Sequence, residues 1–340
     1  MLHRFATFVA GCTVLLVLAD SLVTSTGSGL SVPDWPTSYG WNMLTFPPSK
    51  WVGGILYEHG HRLIATTVGV LTILLAIWLW LRDPRRWMKW LGVTALGAVM
   101  AQGALGGLTV LFFLPAAVST AHAGLAEIFL CLVVSIALFT SPQWIEGYSD
   151  RGVRLKADQV PLKPDPTGDP MLRRVATTTT GLIYVQILLG ATMRHTGAGL
   201  AIPDVPLMFG RFVPPFWDPK IAVHFSHRAG AIVVALCVIA TAAHVWSCHR
   251  DRPELTRPAA LLVALVTFQI TLGALNVLSR LDVWINSVHV VCGALVLTTS
   301  LVLTLRSWRP HFADHRVRLK ADPTSIVRGV RLQPDRGARA

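Results

Sequence analysis

The sequence predicts an all-α integral membrane protein whose eight transmembrane helices form two tandem four-helix bundles of the same orientation. Three observations predict it. About half of the 340 residues are apolar and only 14% are charged, against roughly 25% charged in soluble domains. The apolar residues gather into eight segments, each near the roughly 20 residues that cross a bilayer. The second four segments then repeat the first four at an offset of about 166–170 residues.

The segments run approximately 5–24, 58–81, 90–111, 119–140, 175–193, 222–246, 259–278 and 284–305. The first begins almost at Met1 and has the position of a signal peptide. It ends in Ala19-Asp20-Ser21 without a small-x-small cleavage site, and its counterpart 175–193 lies mid-chain, so it is read as a true span. The domain reading is an N-terminal bundle over 1–145, a basic linker over 146–174, a C-terminal bundle over 175–306 and a basic, disordered tail over 307–340. Five cysteines (Cys12, Cys131, Cys237, Cys248 and Cys292) fall in or at the ends of apolar segments, which argues against a disulfide framework.

Lysine and arginine set the orientation. Of 30 basic residues, 23 fall on one side of the spans: Arg4, the clusters after spans two, four and six, and the tail. The positive-inside rule therefore puts both termini in the cytoplasm, in a multi-pass protein of the cell (plasma) membrane, with the 25–57 and 194–221 loops outside. The net charge of +12 is thus a topology signal, and nucleic-acid binding is excluded as the reading of it. The basic Val153-Arg-Leu-Lys-Ala-Asp158 segment, repeated at Val317–Asp322, reads as solvated or facing anionic lipid.

The repeat is clearest outside. Thr26-Gly-Ser-Gly-Leu-Ser-Val-Pro-Asp-Trp-Pro-Thr-Ser-Tyr-Gly40 aligns with Thr196-Gly-Ala-Gly-Leu-Ala-Ile-Pro-Asp-Val-Pro-Leu-Met-Phe-Gly210, with eight of fifteen positions identical. Gln102–Leu111 aligns with Gln269–Leu278, and His122 with His289. Each copy has four spans, an even number, so the halves share one orientation and are related by an axis along the membrane normal. Glycines at 103, 106, 107 and 273 suit close helix packing.

Four of the twelve histidines fall at matching places, His61 with His227 and His122 with His289, all near the outer ends of their spans. Two imidazoles at one depth on two helices of a bundle are the arrangement that ligates haem iron from both faces. Polar packing partners or a proton relay are the alternatives, giving either an electron-carrying transmembrane cytochrome b or a duplicated proton-coupled transporter. His3, His59, His195, His244, His249, His311 and His315 lack paired placement and read as surface or interface residues. Glu58 stands one turn before His61, where the second half has His224, and is a candidate acid/base; capping of its own helix is the competing role. Arg62 and Arg228 follow the histidines directly and suit either haem propionates or outer headgroups. Glu127 and Asp20, whose counterpart is Gly190, are weaker candidates.

Glu58-x-x-His61-Arg62, His122, Arg194-His-Thr-Gly-Ala-Gly-Leu-Ala-x-Pro-Asp204, His227-Arg228 and His289, on a duplicated eight-span plan over about residues 1–306, resemble the heme A synthase family. The resemblance implies oxidation of the C8 methyl of heme O to a formyl group, by two hydroxylations and loss of water, giving heme A for terminal oxidases. It implies that His227 and His289 hold a heme b cofactor, that His61 and His122 hold the substrate haem, and that Glu58 takes part in catalysis. The partner reading adds heme O synthase (a farnesyltransferase), terminal-oxidase assembly and a second copy of the chain as candidates; the sequence names neither the electron donor nor the oligomeric state. Some members carry a cysteine pair in each outer loop; here Val32, Ser38, Ile202 and Met208 stand nearest those places, and Val205 replaces the tryptophan of the first copy, Trp35.

Overall fold

A computed structural model describes residues 1–145 and 169–309. The linker up to 168, the tail beyond 309 and the Val-Arg-Leu-Lys-Ala-Asp segments lie outside the described residues. Among the described residues there are eight long helices: α1 (Leu2–Ser25), α2 (Gly54–Arg82), α3 (Arg86–Leu111), α4 (Ala116–Phe139), α5 (Pro170–His195), α6 (Pro219–Cys248), α7 (Pro253–Leu278) and α8 (Val283–Trp308). All eight are long and apolar enough to span a membrane.

Most run a few residues beyond the apolar segments, because polar residues cap them outside the hydrophobic stretch. Asp169 accepts from Leu172 N–H, Asp218 from Lys220 and Ile221, and Asp282 from Trp284 and Ile285. Proline opens α5, α6 and α7, where a missing N–H costs nothing. Pro258 lies deeper in α7 and leaves the Glu254 carbonyl without its helical donor; Arg306 Nη1 supplies one at 2.8 Å.

Packing follows the duplication. α1 packs on α2, α2 on α3, α3 on α4 and α4 back on α1, so that α2 and α4 face one another across a diagonal. The second four helices close the same ring, with α6 and α8 diagonal. Each ring has its own apolar core, the first around Val68, Leu75, Leu79, Phe129 and Val133, the second around Val238, Val245, Leu262, Val296 and Leu297. The rings meet along α1 and α4 against α5 and α8, where Val17, Leu130 and Ala294 are buried. With no hydrophobic drive between helices in lipid, such tight side-chain packing holds the spans together.

The loops after α1 and α5 obey the repeat down to the backbone. α1 and α5 both end in a Schellman turn: Ser28 N–H reaches Val23 O, and Ala198 N–H reaches Met193 O, past Gly27 and Gly197 at φ +68° and +65°. Asp34 then accepts from Tyr39 and Gly40 N–H, and Asp204 from Phe209 and Gly210 N–H. These bonds explain the Pro-Asp pair common to both copies. They hold the Asp204 carboxyl below its usual range; at Asp34 burial pushes upward, but the N–H groups and the Thr37 hydroxyl outweigh it.

One departure from the repeat is compensated. Trp35 lies on Gly107 of α3, where a Cβ would come within 2.6 Å of the indole. In the second copy the indole becomes Val205 and the glycine becomes Ala274. The large residue and the missing side chain changed together.

Candidate active site

The four repeated histidines stand at the loop end of α2, α4, α6 and α8, within the first three turns of each helix. Since α2 and α4 are diagonal in one ring, and α6 and α8 in the other, each pair comes from opposite walls of its bundle. In the first ring the ligand atoms of His61 and His122, together with an oxygen of Asp20, all lie within 4.8 Å of one another. Two metal–imidazole bonds of about 2 Å each need nitrogens roughly 4 Å apart, so His61 and His122 would hold a shared metal ion such as a haem iron with little adjustment.

Space beside the imidazoles comes from neighbouring helices. A Cβ on Gly106 of α3 would stand 3.1 Å from His122 Cε1, and one on Gly273 of α7 would stand 3.4 Å from His289 Cε1. On α5, a Cβ on Gly190 would stand 2.9 Å from His227 Cε1. The Nδ1 atoms of His61, His122 and His289 are buried without a hydrogen-bond partner. An orphaned buried nitrogen costs about 1–3 kcal/mol; a bound haem, whose iron takes one imidazole nitrogen, suits this donor set.

Glutamines, to which the sequence reading gave no role, reach the same rings. Gln102 Nε2 lies 3.2 Å from His122 Nε2 and donates to its carbonyl at 3.0 Å; Gln269 Nε2 lies 3.4 Å from His289 Nε2. Gln186 Nε2 lies 3.0 Å from His227 Nδ1 and donates to its carbonyl at 2.7 Å. The repeat of Gln102 as Gln269 was the available signal, and it pointed at the histidine on the next helix.

Glu58 and its counterpart His224 each hold an arginine. Glu58, 3% exposed, accepts Val32 N–H on Oε2 at 2.7 Å and Arg62 Nη2 on Oε1 at 2.6 Å. His224 accepts Arg228 Nε on Nε2 at 3.0 Å, which leaves its Nδ1, 3.3 Å from the Ile202 nitrogen, as the protonated nitrogen of the neutral ring. Glu58 thus caps the loop after α1 rather than its own helix. Arg62 also donates to the carbonyls of Val32, Asp34 and Thr37, and Arg228 to those of Ile202, Asp204 and Leu207. Both guanidiniums are turned into the loops, and a haem propionate would share them with those carbonyls.

The halves differ at a second place. Where Gly190 clears room for His227, α1 carries Asp20, whose Oδ1 lies 3.7 Å from His61 Nε2 and 3.9 Å from His122 Nε2. Arg194 of α5 grips the next turn of α1, donating to Ser21 O at 2.6 Å and Ser25 Oγ at 2.7 Å. A helix of the second ring therefore steadies the carboxylate of the first.

Other histidines depart from their reading. His59 is fully buried, with Nδ1 3.1 Å from Ser38 Oγ and its ring between Phe46 and Trp51. It follows Glu58 in sequence but packs under the loop, which no spacing rule reveals. Glu127 is buried in α4 with Oε2 unpartnered.

Residues 3–301 match the family described as cytochrome oxidase assembly protein (COX15-CtaA). The chain is 31% identical to a heme A synthase of Symbiobacterium thermophilum over 287 residues, 81% of this chain and 85% of that one. The chain belongs to the heme A synthase family. Further members are 28% identical in Halalkalibacterium halodurans, over 88% of this chain and 95% of that one, and 28% identical in Rhizobium leguminosarum bv. trifolii, over 91% and 89%. Heme A synthase family membership favours neither the electron-only cytochrome nor the transporter.

Proposed function

We propose that the protein is a membrane oxidoreductase that converts heme O to heme A by oxidising the C8 methyl group to a formyl group. The observation that carries this reading is the pair of histidines set across the diagonal of each ring, with unlike surroundings in the two halves. Heme O would be held by His61 and His122, and heme b by His227 and His289. The resident haem supplies one-electron chemistry when bound.

The halves share their ligands and their loop clamps but differ at Glu58/His224 and Asp20/Gly190. Both differences put a carboxylate in the first half. Glu58 is buried with Arg62 one turn from His61, a place where it can hold a proton or offset positive charge near the substrate. Asp20 faces both imidazoles of the substrate pair. It can hold them in place between departure of one haem and arrival of the next, whereas a haem that stays needs no such group and Gly190 suffices. Arg62 and Arg228 keep the loops seated and would offer a cation to haem propionates.

We further propose the plasma membrane as the site, with both termini cytoplasmic. Partners would be lipid, a heme O synthase that delivers the substrate, the terminal-oxidase assembly line that receives the product, a separate electron donor and a second copy of the chain. Extraction and chromatography of haems from cells that supply heme O tests the activity. Heme A is expected with the intact chain; unchanged heme O would overturn the proposal.

A further inference from the structure

The other end of the second bundle carries a cluster that the haem chemistry does not use. Asp169 stands at the start of α5, His244 in the last turns of α6, and His249 just past its end. Asp169 Oδ2 lies 2.5 Å from His244 Nε2 and 2.9 Å from His249 Nε2, and the three ligand atoms all lie within 4.8 Å of one another. We infer that these three side chains form a binding site for one divalent transition-metal ion of the zinc type, which ties the start of α5 to the end of α6.

The donor set selects the ion. Two imidazoles and one carboxylate suit zinc and its first-row neighbours, whereas magnesium and calcium want oxygen ligands. Metal–ligand bonds of about 2 Å in a tetrahedron put ligand atoms roughly 3.3 Å apart, so the cluster opens by under about 1 Å to admit the ion. Three protein ligands leave the fourth position to water.

The carboxylate is also oriented from behind. Asp169 Oδ1 accepts Leu172 N–H at 3.0 Å as the helix cap, which leaves Oδ2 directed at the two rings. Such outer bonds fix the aim of a ligand and are typical of metal sites. The side chains are between 15% and 22% exposed, so the site is sheltered yet reachable. The same corner of the first ring is built differently: His249 aligns with Asp83, which is paired with Arg85 at 2.7 Å.

The test uses the purified, haem-loaded full chain, stripped with a chelator, desalted and titrated with zinc chloride. Zinc is counted by mass spectrometry, and its ligands are read by zinc-edge X-ray absorption. About one zinc per chain is expected, bound to two imidazoles. D169N keeps a cap for Leu172 but loses the anionic ligand; it and H249A should weaken zinc binding by roughly 10–100-fold while the haem Soret band is unchanged. Equal zinc in the intact chain, D169N and H249A would overturn the inference, as would zinc that is lost only in H61A, which would place it at Asp20, His61 and His122. Failure of heme A formation with zinc binding intact would count against the proposed activity alone.

Discussion

Arg62 Nη2 donates to Glu58 Oε1 at 2.6 Å, and in the second half Arg228 Nε donates to His224 Nε2 at 3.0 Å. A carboxylate and an imidazole each hold an arginine that gathers three carbonyls of the loop before its helix. The arginine clamp is common to both halves, but Glu58 brings a charge and a second acceptor, for Val32 N–H, that a neutral His224 lacks. Whatever the first half does that the second does not is to be sought in that charge and in Asp20.

The assignment of the two haems is separable by spectroscopy. H227A or H289A should lose the b-type haem spectrum of the purified protein, while H61A or H122A should retain it and lose only added heme O. Loss of the same haem from all four variants would contradict two separate sites.

Asp20 against Gly190 predicts an exchange of behaviour. D20G should slow release of haem from the first half, because the imidazoles lose their alternative partner, and G190D should loosen the haem of the second. Transfer of haem to apomyoglobin measures both, with shifts of about 10-fold expected from a neighbouring group of this kind. Unchanged release in both variants would mean that Asp20 plays no part in haem exchange.

Trp35 and Gly107 predict a stability cycle. G107A forces the indole off α3 and should cost about 1–3 kcal/mol, as overpacking does. Adding W35V recreates the pair found in the second copy and should recover most of the loss. Thermal unfolding in detergent measures the coupling, and additive losses would contradict it.

Asp34, held below the ordinary carboxyl range by the N–H groups of its loop, ties loop order to pH. A lowered pKa contributes stability that is present above the unfolded value, about 4, and is lost as pH falls through the folded value. Hydrogen exchange of Tyr39 and Gly40 should therefore accelerate below about pH 4 in the intact chain. In D34N it should be fast throughout and independent of pH beyond the intrinsic rate.

Much of this was legible in the sequence. Eight spans, their duplication and the four matched histidines follow from periodicity and spacing, which report what lies on one helix or recurs at one offset. The diagonal placement of α2 opposite α4 needed the packing. Asp20 stood out only as an unmatched residue, since its distance to His61 depends on how α1 is seated by Arg194. His59 adjoins Glu58 yet is buried under the loop by Phe46 and Trp51, contacts that no local pattern encodes. His244 and His249 read as surface residues because their partner Asp169 lies 75 residues before the first of them.

Glu58 is proposed to carry chemistry as well as the clamp. Replacement by alanine removes both, so the informative variant is E58H, which installs the clamp used by the second half. Haems extracted from cells that express E58H and supply heme O should contain heme O and no heme A, while the purified variant keeps its b-type haem and its thermal stability. Heme A at the level of the intact chain would contradict the claim and leave Glu58 as a clamp alone.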